Sequence, residues 1–173
     1  MNDMMRLIEP AIPRLRRYAR ALLRDNAAAD DLVQDCLERA ISRWHQRRSD
    51  GDARAWLFSI LHNLAVNRMR QTARRGAHVP VEHANPSATA IPADQEAAIH
   101  EHDVIKVLDR LPDDQRAVLL LVSIEELSYA DAAQALGVPT GTIMSRLSRA
   151  RERLRIELAG RAQPAPAYLR RVK

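Results

Sequence analysis

Apolar residues recur along this chain with the period of an α-helix. Between about Ala27 and Trp44 they fall at Leu32, Val33, Cys36, Leu37, Ala40, Ile41 and Trp44. That is the i, i+1, i+4, i+5 repeat of one buried helix face. A second stripe, Trp56, Leu57, Ile60, Leu61 and Leu64, predicts a helix from about Ala53 to Arg74. Ser59, His62, Asn63, Val66 and Arg70 lie on its other side, and Asn67 and Arg74 fall near the buried edge. A shorter helix, from about Ile12 to Arg24, precedes both and is stopped by Asp25 and Asn26. The polar segment QRRSDGD, Gln46 to Asp52, contains Gly51 and reads as a loop.

From Gly76 to about Glu96 the periodicity disappears. Gly76, Pro80, Pro86 and Pro92 stand among small and polar residues, and the stretch is too long for a loop inside a compact domain. It predicts a flexible linker over 76–96. Helical pattern resumes at about Ala97, with Ile99, Val104, Val107, Leu108 and Leu111 on the apolar side. Pro112 opens a new element whose first turn holds Asp113 and Asp114, where acids suit the helix dipole. The run Ala117 to Ile124 fits a buried strand or a buried helix, and its Asp-Asp-Gln-Arg lead-in favours the helix.

The segment 128–158 has a more specific grammar. Ser128 is placed to cap a helix, with Asp131 three residues on in the reciprocal acidic position. Gly137 supplies the positive φ of a tight interhelical turn, and Ala133 leaves room for a second helix to cross closely. Pro139 and Thr140 start that helix, which runs from about Gly141 to Leu158. This is a helix-turn-helix pattern, whose second helix enters the DNA major groove. Ile143, Leu147, Ala150 and Leu154 should pack inward. Thr140, Thr142, Ser145, Arg146, Arg149 and Arg153 are the candidate DNA contacts. Arginine binds guanine O6 and N7 or clamps phosphate, and hydroxyls add contacts to phosphate or base.

Charge distribution strengthens this reading. Residues 37–75 carry nine bases and three acids, 76–136 three bases and eleven acids, and 137–173 nine bases and two acids. Two basic blocks separated by an acidic one imply two contacts with a polyanion. Aromatics make up only 3% of the chain, while helix formers abound, which disfavours a β-sandwich or barrel. Cys36 is the sole cysteine and sits in a buried stripe, so neither an internal disulfide nor a thiol-rich metal site is expected. There is no phosphate-binding glycine loop, no nucleophile–base pair and no metal-ligand spacing. His100 and His102 are two apart, on different sides of a helix. No enzymatic chemistry and no cofactor are expected. No apolar run approaches the roughly 20 residues of a membrane span, and the N-terminus lacks the core of a signal peptide, so a cytoplasmic protein is expected.

The segment LPDDQRAVLLL followed by SYADAAQALGVPTGTIMSRLSRARERL resembles region 4 of sigma factors in the sigma-70 superfamily. ADDLVQDCLERA, Ala29 to Ala40, resembles the first part of region 2, which docks on the clamp helices of the polymerase β′ subunit. RAWLFSILHNLAVNRMRQ, Arg54 to Gln71, resembles the part of region 2 that opens and reads the −10 element. The segments stand in the family's order and cover most of the chain. With only regions 2 and 4 present, the layout resembles the extracytoplasmic-function group. The resemblance implies an all-α protein of two small helical domains: region 2 over 1–75, the linker over 76–96, region 4 over 97–160, and a basic tail over 161–173 expected to be disordered.

The resemblance also implies residue roles. Asp31, Gln34, Asp35 and Glu38 match the positions that bind core RNA polymerase, with Asp30 a weaker candidate. Arg54, His62, Asn63, Asn67, Arg68 and Arg70 are the matching −10 set, around a pocket-forming loop Gln46 to Asp52. Extracting a base from the stack costs a few kcal/mol, which such a pocket must offset. Trp44 and Trp56 fall on buried stripes and are assigned to the core rather than to base stacking. Expected partners are core RNA polymerase (β′ clamp helices and β flap), promoter DNA and an anti-sigma factor. The chain departs from many members at Met144, where a basic residue is common, and at Ser148, where a larger one is. The exact −35 sequence therefore does not carry over. A free-standing helix-turn-helix regulator and a decoy that mimics a sigma factor are the alternatives; the two segments in the N-terminal half argue against the first, and basic faces in both halves against the second.

Overall fold

The structure, a computed structural model, describes residues 2–49, 51–74 and 106–161. Everything regular among them is helical: α1 (Asn2–Ile8), a 3-10 turn (Glu9–Ala11), α2 (Ile12–Leu23), α3 (Asn26–Ser42), a 3-10 turn (Trp44–Gln46), α4 (Ala53–Arg74), a helical stretch 106–110, α5 (Asp113–Leu119), a π-turn (Leu120–Ile124), α6 (Tyr129–Leu136) and α7 (Thr140–Arg161). The expected linker, the start of the helix after it and the C-terminal tail lie outside the described residues.

Helices α2, α3 and α4 pack around Leu15, Tyr18, Leu22, Leu32, Cys36, Leu57, Phe58 and Leu61, each at most 2% exposed. Burying one such large apolar side chain is worth about 1.5–3 kcal/mol, so this set is what holds the first half together. The Tyr18 ring meets Phe58 edge-on, with centroids 5.4 Å apart. Burial pushes the Cys36 thiol up to about 12, consistent with an inert packing residue.

Helix ends follow from local chemistry. The Asp25 carboxylate accepts from the Ala28 amide at 3.0 Å and caps α3, so this residue starts a helix as well as ending one. Arg24 closes α2 in the left-handed region, with φ of 59°. At α6 the Ser128 Oγ accepts from the Asp131 amide at 3.0 Å, and Ser128 donates to the Asp131 carboxylate. Gly137, with φ of 63°, ends α6 by donating to Gln134 O, and the Val138 amide donates to Ala133 O. That is the Schellman arrangement, for which a left-handed residue is required.

Several expectations are corrected. Helix α1 was not anticipated; it is one short run before Pro10. Helix α3 ends at Ser42, so Trp44 stands on the following 3-10 turn rather than in the α3 stripe. Ile41 is 49% exposed, on the outward side of α3. Trp44 and Trp56 are half-buried and meet edge-on at 5.8 Å, with the Arg47 guanidinium 4.9 Å from the Trp44 ring. The apolar run Ala117 to Ile124 is helical, as its Asp-Asp-Gln-Arg lead-in favours, and finishes in a short π-helix.

The two halves pack on one another: α4 lies against the alanine-rich α6, and α2 meets α5. Ala132, Ala133 and Ala135 are nearly buried, and their small side chains let α4 and α7 approach α6 closely. Polar contacts tie the same boundary. Arg116, 1% exposed, donates to the carbonyls of Leu108 (2.9 Å) and Leu111 (2.8 Å) and to Leu22 O at the end of α2 (3.5 Å). Carbonyls at a helix end have no partner within the helix, and a buried guanidinium is stable only when its donors are satisfied. Glu125, also 1% exposed, receives Arg17 Nε and Nη2 at 2.9 Å, while Arg14 donates to its carbonyl at 3.5 Å. Arg24 pairs with Asp109 at 3.3 Å.

Candidate nucleic-acid interface

Three helix faces carry the candidate residues. On α3, Asp31, Gln34, Asp35 and Glu38 are all exposed, because they alternate with buried Leu32, Val33 and Cys36. Gln34 donates to the Glu38 carboxylate at 3.3 Å, an i to i+4 contact along the face. Asp30 is engaged with Arg16 at 3.1 Å and Arg20 at 3.2 Å, which is a structural role at the start of α3.

On α4 the candidates divide. Asn63, Asn67 and Arg70 are exposed. Arg54 is folded back on the helix start, where the Asp52 carboxylate accepts from its amide at 2.8 Å and its guanidinium at 3.3 Å. Arg68 spans to α3, donating to Ala28 O at 3.1 Å and lying 3.8 Å from Asp31. It thereby joins the candidate polymerase face to the candidate DNA face. His62 is half-buried, with Nδ1 3.0 Å from the Tyr18 hydroxyl. Burial, and then the nearby Arg146 guanidinium, lower its pKa to about 4. The imidazole is neutral at pH 7. Burial also raises the Tyr18 pKa, so the phenol keeps its proton and shares a hydrogen bond with the neutral ring at Nδ1. The sequence reading of His62 as a surface residue on the outer side of α4 is corrected: a buried tyrosine hydroxyl needs a partner, and His62 supplies it.

On α7, Ile143, Leu147 and Ala150 are 0%, 2% and 0% exposed and Leu154 is half-buried, as the periodicity predicts. Thr140, Ser145, Arg149 and Arg153 are exposed and Thr142 is half-buried. The Ser145 hydroxyl donates to Thr142 O at 3.1 Å. Arg146 is turned aside to pair with Asp114 at 3.1 Å, leaving its side chain 28% exposed. It lines a cleft of about 390 Å³ with Leu22, His62, Met69, Arg70 and Asp113. Candidates from both halves, Arg70 and Arg146, thus line one cleft together with the two acids that open α5. Exposed Met144, Ser148 and Arg151, absent from the sequence-based set, complete the outward surface. The signal for them was present in the sequence: at 100° per residue they share a flank of α7 opposite Thr142 and Arg146.

The family description "Sigma2 domain of PhyR" matches residues 8–62, and "Sigma-70, region 4" matches residues 101–154. The ECF RNA polymerase sigma factor EcfG of Rhodopseudomonas palustris is 39% identical over 149 residues, covering 83% of this chain and 78% of that protein. The chain belongs to the ECF RNA polymerase sigma factors. As a member of that family it directs promoter-specific transcription. The RNA polymerase sigma-E factor of Streptomyces coelicolor is 37% identical over 160 residues, covering 90% of this sigma factor and 86% of that one. The sigma factor RpoE of Bartonella quintana, solved in complex with the anti-sigma factor NepR, superimposes with a TM-score of 0.78 at 33% identity. That match covers 92% of this chain and 98% of the Bartonella chain. Among the described residues no helix is long and apolar enough to cross a membrane.

Proposed function

We propose that the three faces divide the work of initiation. The first half, residues 1–75, acts as region 2. Its α3 face, Asp31, Gln34, Asp35 and Glu38, docks on the β′ clamp helices of core RNA polymerase. Its α4 face reads the −10 element, with Asn63, Asn67 and Arg70 as direct contacts. Arg54, His62 and Arg68 hold the loop and helix in place unless DNA draws them out of their present partners. The second half, residues 97–160, acts as region 4, with the β flap as its polymerase contact. Its α7 reads the −35 duplex through Thr140, Thr142, Ser145, Arg149 and Arg153, and Arg146 joins them on release from Asp114. Residues 76–96 link the halves, and the tail 161–173 adds nonspecific phosphate affinity. The protein works in the cytoplasm without a cofactor.

The observation that carries this reading is the pairing of an exposed acid-amide face on α3 with a basic outward face on α7. A free-standing regulator needs only the second. Regulation by an anti-sigma factor fits the same layout: Arg70 and Arg146 share a cleft, so a partner that keeps the halves together keeps both from DNA. Replacing Asp31 and Gln34 together by Ala is expected to weaken binding to core polymerase about ten-fold or more, a loss on the order of 1.4 kcal/mol, with an unchanged circular dichroism spectrum. Unaltered affinity for core polymerase would refute the assignment of that face.

A further inference from the structure

Met144 is 54% exposed on α7, next to Ile143 at 0% and three residues before Leu147 at 2%. It is therefore not a misplaced core residue; the helix turns it to solvent. Its position is one turn inside the start of α7, and in a helix-turn-helix the first turns of the second helix meet the base edges. Met144 lines a shallow concavity with Tyr129, Leu147, Ser148, Arg151, Glu152 and Arg155. Tyr129 stands at the start of α6 and is 39% exposed. Arg149, Arg151 and Arg153 lie exposed further along the helix, so the surroundings suit a polyanion.

We propose that Met144 determines promoter specificity by packing against the C5-methyl of a thymine in the −35 element. This rests on the assignment of α7 as the −35 reader. The chemistry selects the base. A thioether with its methylenes offers no hydrogen-bond donor, and thymine alone presents an apolar methyl in the major groove. Against guanine, adenine or cytosine the same side chain would cover a polar edge atom and leave it unpaired, which costs binding. Ser148, one turn further along the same flank, is small enough to leave the methyl room to enter.

The test uses the full chain assembled with core polymerase. A promoter is first selected from DNA randomised in the upstream element, and each of its upstream thymines is then replaced by deoxyuridine. That change removes one methyl group and keeps the base-pairing face. At one position the replacement is expected to weaken promoter binding about four-fold, the worth of one buried methyl group. With Met144→Ala the thymine promoter should be weakened to a similar degree, and deoxyuridine at that position should bring no further loss. If every replacement is neutral, or if the sensitivity persists in Met144→Ala, the proposal is overturned. If Met144→Ala instead lowers affinity for core polymerase and leaves the DNA preference intact, Met144 is a protein contact and the proposal is also overturned. If no upstream element can be selected at all while core binding is normal, the −35 assignment of α7 fails and takes the proposal with it.

Discussion

At the scale of single residues, His62 shows how environment decides a role. An exposed histidine titrates near 6.5, whereas His62 is held at about 4 by burial and by the Arg146 guanidinium. Between these values the unfolded chain binds a proton that the folded one refuses. Stability contributed by the neutral imidazole is present above about pH 6.5 and is lost as pH falls towards 4, by an amount on the order of 2–3 kcal/mol. Unfolding by urea at a series of pH values should show this acid-side loss, and NMR titration should give His62 a midpoint near 4. A His62 midpoint near 6.5 would mean that the imidazole is open to water and that the contact with Tyr18 does not persist.

At the scale of elements, α6 is held at its two ends by local devices. Ser128→Ala removes the cap of α6 and should cost about 1 kcal/mol. Gly137→Ala meets open space, so its cost is conformational: a Cβ at φ of 63° is worth about 1–2 kcal/mol. Thermal unfolding should register both, and a Gly137→Ala variant as stable as the parent would contradict the left-handed turn.

These devices were readable in the sequence because capping and turn chemistry are local. The inward set Ile143, Leu147 and Ala150 and the bounds of α4 were readable for a similar reason, since periodicity reports which face is buried. What escaped depended on distant partners. Nothing local in the sequence marks Arg116, yet it bonds Leu22 O, 94 positions away. His62 looked like a surface residue until Tyr18 met it from α2. Arg146 looked free for DNA until Asp114, on a neighbouring helix, claimed it. The α3 stripe was overextended to Ile41 and Trp44 because a helix stop without glycine or proline leaves little mark. For Met144, periodicity only places the side chain off the buried face.

At the scale of the whole molecule, the packed arrangement brings Arg70 and Arg146, one from each half, to one cleft, with Glu125 buried at the boundary. Arg17→Ala would strip this carboxylate of its guanidinium. The cost at the boundary should be on the order of 1–3 kcal/mol, the lower part of the range reflecting the solvent exposure of Arg17. The halves should then separate more readily, seen as a larger radius of gyration in small-angle scattering. An unchanged radius together with unchanged stability would mean that the Arg17–Glu125 contact does not hold the halves.

As an ECF sigma factor, this chain gives RNA polymerase its promoter specificity. Run-off transcription tests it most directly, using purified bacterial core polymerase on a library of promoter-like DNA, with and without the protein. New transcripts are expected that appear only with the protein and whose templates share two spaced elements. Tight binding of duplex DNA by the protein alone, with no protein-dependent transcript, would contradict it and point to a free-standing regulator.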